Sequence, residues 1–84
     1  MKDCIITFRS VTLAQRGEGI MKRAGIHCSL QRTPRHMEEQ GCGYCLKLPL
    51  GRAQEAVILL QEHRITYRKI YLTRSGGKLE EMIL

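Results

Sequence analysis

One pattern occurs twice in this chain at an offset of 39 residues, and that repeat limits the fold more than any other feature. Ile26 and Ile65 each follow a helix-like stretch, and Ile5 and Tyr44 each sit in a short run of strand formers. In the first half, Cys4-Ile5-Ile6-Thr7-Phe8 is rich in residues that suit a pleated surface. Ser10 then stands where a hydroxyl can accept from an orphan amide at a helix start. Leu13, Gly17, Ile20, Met21 and Ala24 recur along one helical face, and Gly25 lies just beyond, where a left-handed cap favours glycine. Gly17 on the apolar face predicts that this helix approaches a sheet closely.

Between the two copies, His27–Arg32 reads as a second strand with Cys28 and Leu30 on one face, ended by Thr33-Pro34-Arg35. The second copy starts with a third strand, Gly43–Leu48, closed by Pro49-Leu50-Gly51. A helix follows with Ala53, Ala56, Val57 and Leu60 on one face and Leu59 flanking it. A fourth strand over Thr66–Thr73 is predicted to set Arg68, Ile70 and Leu72 on one side and Tyr67, Lys69 and Tyr71 on the other. The order β-α-β-β-α-β with an internal repeat predicts an α+β, ferredoxin-like sandwich, with four antiparallel strands and both helices on one face. The domain is expected over residues 1–74. Residues 75–84 form a tail in which Ser75-Gly76-Gly77 is a joint and Leu79, Met82 and Ile83 would line one side of a short helix, docked on its own sheet or on a second subunit.

Eighty-four residues are too few for two domains, and a core of this size is marginal unless its elements are regular or it associates, so a homodimer is an open expectation. With 43% hydrophobic residues, the chain is too apolar for a disordered polymer. No apolar run approaches the roughly 18 residues of a membrane span, and the apolar start Cys4-Ile5-Ile6 is cut short by Thr7 and Arg9 before it reaches signal-peptide length. A cytoplasmic protein is expected. Lys and Arg total 14 against 8 acids, a formal charge of +6, but the cations are scattered and read first as a solvated surface. A nucleic-acid reader of this topology carries stacking aromatics on its third strand. Here that strand offers Tyr44 alone, so nucleic acid is not the expected partner. The chain also lacks a glycine-rich phosphate loop between strand and helix, a Ser-His-Asp order and a paired-carboxylate site.

Four cysteines in a reducing compartment point to catalytic, redox or metal chemistry rather than a disulfide scaffold. Cys42, between Gly41 and Gly43, has little steric cover, which a reactive thiol requires. Arg32, Arg35 and His36 offer positive charge that would favour its thiolate, while Glu38 and Glu39 oppose it. Cys42 and Cys45 form a Cys-x-x-Cys, which fits a dithiol or half of a zinc site. The residues after Cys42 read as a strand and not a helix N-terminus, which counts against a thioredoxin mechanism. Cys45 should point away from Tyr44 and Leu46, so it is a resolving thiol only if the loop rearranges, and otherwise a small strand residue. The zinc alternative draws on Cys28, His36, Cys42 and Cys45. Cys28 and Cys4 read more simply as small buried hydrophobes, and His63 as a partner of a helix C-terminus.

Pro34-Arg35, the Cys42-Gly43 pair, the strand Ile6-Thr7-Phe8 and Ala24-Gly25-Ile26 together resemble the selenium/sulfur carrier-like family of small bacterial proteins, over most of residues 3–72. The resemblance implies a sulfur- or selenium-carrying role for Cys42, with Arg35 favouring its anionic forms. It implies a carrier rather than a free-standing enzyme, whose partners are a cysteine desulfurase-type donor and an acceptor. Relatives tend to have a serine-rich stretch between the two motifs, whereas this chain has Met37-Glu38-Glu39-Gln40-Gly41 and the additional thiol of Cys45.

Overall fold

The predicted repeat is visible down to its hydrogen bonds in the computed structural model, which describes residues 2–33, 43–73 and 79–82. Strand β1 (Asp3–Thr7) leads into helix α1 (Val11–Arg23), whose N-cap Ser10 accepts from the Leu13 amide at 3.2 Å. At the other end Gly25 adopts φ +79°, its amide donates to Lys22 O at 3.1 Å, and the Ile26 amide donates to Met21 O at 2.9 Å. Those two bonds satisfy carbonyls that the last helical turn leaves unpaired. Helix α2 (Ala53–Glu62), entered through a 3-10 turn over Leu50–Arg52, ends in the same way. Arg64 donates to Gln61 O at 3.1 Å and Ile65 to Leu60 O at 2.8 Å. Arg64, at φ +57°, occupies the left-handed position that Gly25 fills in the first half.

The remaining strands are β2 (Ser29–Arg32), β3 (Tyr44–Pro49), β4 (Ile70–Thr73) and β5 (Leu79–Met82). They form one open antiparallel sheet in the order β2-β3-β1-β4-β5. Period-two alternation sends Cys4 and Ile6 of β1, Leu46 and Leu48 of β3 and Ile70 of β4 into one core with Ala14, Ile20 and Met21 of α1 and Ala56, Val57 and Leu60 of α2. Ile26 and Ile65, the residues after the two helix caps, are buried there as well. Burial of each large side chain stabilises by about 1.5–3 kcal/mol, so this core carries the fold. Gly17 lies at its centre: a Cβ there would stand 3.2 Å from Leu46 Cδ1 and 3.3 Å from Leu60 Cδ2. The close approach expected from this glycine is therefore real, and it involves α2 as well as the sheet.

Several expectations are corrected. The sheet has five strands rather than four, because Leu79–Met82 is a strand and not the short helix expected of the tail. Two helical turns alone are unstable, whereas pairing with β4 occupies that strand's outer edge and sets Met82 opposite Ile70, against the core. β2 begins at Ser29, so His27 and Cys28 precede it. β4 is shorter than the predicted Thr66–Thr73, because Thr7 is opposed by two residues at once. The Arg68 amide donates to Thr7 O at 2.7 Å, the Thr7 amide to Lys69 O at 2.9 Å, and the Lys69 amide to Thr7 Oγ1 at 3.1 Å. The extra residue makes a β-bulge and inverts the alternation beyond it. Tyr67 therefore packs against the helix-side core, while Tyr71 lies on the other face with Ile5 and Cys45, and the expected Tyr67–Lys69–Tyr71 face does not form.

Candidate functional site

The site expected from the sequence lies where β2 and β3 meet the segment between them. Cys42, Arg35 and His36 fall outside the described residues, as does the rest of 34–42. The two ends of that segment are well defined. Thr33 donates to Gly43 O at 2.6 Å, closing the ladder that continues through Arg32–Tyr44 and Gln31–Cys45. Gly43, buried and at φ +79°, takes a backbone conformation that disfavours L side chains, which gives the glycine after Cys42 a physical reason.

Three cations gather at this end of the sheet. Arg32 holds its guanidinium carbon 5.4 Å from the centre of the Tyr44 ring, within reach of the ring's negative face. Register sets Thr7 opposite Cys45, and the bulge attaches Arg68 and Lys69 to Thr7, so these two cations stand at the same end as Gly43. Lys69 pairs with Glu81 at 3.7 Å, which offsets part of that charge. Arg32 was legible as a cation at the start of the segment. Arg68 and Lys69 were not, because only the pairing of β1 with β4 brings them there.

The described thiols occupy three different environments. Cys4 is fully buried in the main core, and burial, helped by the Asp3 carboxylate, pushes its thiol up to about 11. It is the small hydrophobe that its position in β1 suggests. Cys28 is partly buried, packs against the helix-side core and donates a long bond to Glu18 O at 3.9 Å. Its thiol is also raised, first by burial and then by Glu18, with Lys22 opposing. Cys28 lines an open groove of about 390 Å³ with Asp3, His27, Ser29 and Lys47. Cys45 is 1% exposed and packs with Ile5 and Tyr71 on the face away from the helices, as its alternation with Tyr44 and Leu46 requires.

Of the zinc alternative Cys28, His36, Cys42 and Cys45, His36 and Cys42 lie outside the described residues, and the other two pack on different faces of the sheet. Cys28 sides with the helix-face core and Cys45 with the opposite face, so the sheet separates two of the four proposed ligands. Among the described residues no group of three or more His, Cys, Asp or Glu side chains is placed to hold a metal ion. Among them too, no helix is long and apolar enough to cross a membrane.

Searches of curated proteins and of solved structures find no match to the chain. A protein-family model, described as Putative Se/S carrier protein-like, matches residues 3–72, from the start of β1 into β4. That span holds both helices, strands β1 to β3, all but the last residue of β4 and the segment that carries Cys42, and by it the chain belongs to the Se/S carrier protein-like family.

Proposed function

We propose that the protein carries sulfur or selenium as a persulfide or perselenide on Cys42, between a donor protein and an acceptor. The observation that carries this reading is the withdrawal of the other thiols: Cys4 and Cys45 are buried, and Cys28 is partly buried with its thiol raised. A thiol exchanges as its thiolate and only where a partner can approach. In a chain of the Se/S carrier protein-like family, Cys42 between two glycines is the cysteine left for that work.

In the first step the Cys42 thiolate attacks the outer sulfur of a donor persulfide. A Cys42 Sγ–S bond forms, the donor S–S bond breaks, and the donor leaves as a thiolate, with no net oxidation. In the second step an acceptor thiolate attacks that outer sulfur and releases the Cys42 thiolate, so the carrier is restored. Arg35 in the sequence and Arg32, Arg68 and Lys69 at the end of the sheet favour the anionic forms of Cys42. Direct transfer suits this protein better than release through a Cys42–Cys45 disulfide, because Cys45 would first have to leave its contacts with Ile5 and Tyr71. This chemistry makes the protein a carrier that works with larger partners and not an enzyme with its own substrate pocket. We further read the first four strands as a ferredoxin-like split β-α-β sandwich extended by β5, a reading supported by the order β2-β3-β1-β4.

Incubation with a small-molecule persulfide donor, followed by cyanide release of labelled sulfur, tests the site. Wild type and Cys28→Ser are expected to take up one sulfur per chain and Cys42→Ser none. Undiminished loading of Cys42→Ser would remove the proposal.

A further inference from the structure

We propose that the outer edge of β2, which no described residue pairs, is a docking strand for an extended acidic segment of a partner protein, which would join the sheet beside Thr33 and Gly43. Hydrogen-bonded and non-bonded pairs alternate in an antiparallel ladder. The bond from the Thr33 amide to Gly43 O therefore turns the backbone groups of Gln31 and Ser29 toward β3 and those of Leu30 and Arg32 away from it. Among the described residues no strand lies beyond β2, and Ser29, Gln31 and Arg32 are exposed. Exposed edges invite pairing with another chain, and proteins usually guard them with charge. The opposite edge is guarded in this way, since β5 carries exposed Glu80 and Glu81, whereas β2 carries one charge, that of Arg32.

The surroundings of that edge select the partner's sign. From residue 9 to residue 33 the chain exposes Arg9, Arg16, Lys22, Arg23 and Arg32 against a single acid, Glu18, which is already paired with Lys22 at 3.5 Å. Contacts between α1 and β2 keep this cationic helix beside the open strand. A strand that brings glutamates along α1 and pairs its backbone with Leu30 and Arg32 meets both demands. Arg32 is two residues from the start of the Cys42 segment, so such a partner would bring its own thiol near the carrier cysteine. The proposal uses the carrier reading only for the identity of the partner. The surface itself does not involve Cys42.

Hydrogen exchange on the full chain in the Cys42→Ser background tests the edge independently of any sulfur chemistry. The probes are two end-blocked hexapeptides, one alternating glutamate with valine and one alternating lysine with valine. With the glutamate peptide, exchange of the Leu30 and Arg32 amides is expected to slow by about tenfold or more, and added salt should reverse the effect. The lysine peptide should do nothing. Arg32→Pro removes an amide that faces away from β3, a change edge strands tolerate, and should abolish peptide protection, while Arg32→Gln should only weaken it. The proposal fails if neither amide is protected, if both peptides act alike, or if protection appears at β5 instead. Protection of Leu30 and Arg32 that grows with protein concentration in the absence of peptide would also overturn it, by making a second copy the occupant.

Discussion

The surroundings of a sulfur decide what a cysteine can do, and Cys4 illustrates it among the described thiols. Cys4 sits between β3 and β4 in the core, where removal from water favours the neutral thiol and raises it to about 11 from the ordinary 9.0. An acid whose folded pKa is raised contributes stability in full below its unfolded value and loses it as pH climbs through the folded one. Wild type should therefore lose stability between pH 9 and 11 more steeply than Cys4→Ala, although the variant starts lower because of the cavity it leaves. Denaturant unfolding of both proteins across that range measures the difference, and parallel curves would show that Cys4 does not titrate in the core. The sequence made Cys4 legible as a buried residue through its place in an apolar run. It singled out Cys42 through its two glycine neighbours, and that residue lies outside the described ones. Arg68 and Lys69 could not be assigned to the Gly43 end of the sheet, since they reach it through a bulge opposite Thr7, a residue about sixty positions away in the chain.

At the level of elements, the 39-residue repeat made both helices and their ends legible, because a helix cap is encoded by a few neighbouring residues. The caps also differ in a testable way. Gly25 suits its left-handed conformation, whereas Arg64 bears the crowding of a Cβ against the carbonyl beside it. Arg64→Gly should stabilise the protein by about 0.5–1 kcal/mol, and Gly25→Ala should destabilise it by about 1 kcal/mol. Chemical denaturation of the two variants checks both signs, and a stabilising Gly25→Ala would be incompatible with the cap described. Local signals served the strands less well. The alternation through Thr66–Thr73 is regular in sequence, but its parity breaks at the bulge, which exists only once β1 and β4 are paired. The helical spacing of Leu79, Met82 and Ile83 likewise misled, because the free edge of β4 was not visible from the tail's own residues.

For the molecule as a whole, β5 completes a sheet whose helix-covered side is the core and whose two edges are unequal in charge. Deletion of residues 74–84 should lower stability by about 1–3 kcal/mol, through the loss of Met82 packing and of the β4 ladder, while both helices persist by circular dichroism. An unchanged midpoint would mean that β5 does not hold to β4 in solution. The segment from Arg32 to Gly43 remains the centre of the proposed function: it follows an exposed edge strand and carries a cysteine that stands between two glycines in the sequence, in a chain whose other thiols are covered or partly covered. The most direct test is the intact mass of protein purified anaerobically without reductant and then exposed to a persulfide donor, with the added atom located by peptide mapping. The account predicts one additional sulfur or selenium atom per chain, on the peptide that contains Cys42 and on Cys42 itself. Loading on Cys28 or Cys45, or a chain that stays bare after exposure to the donor, would contradict it.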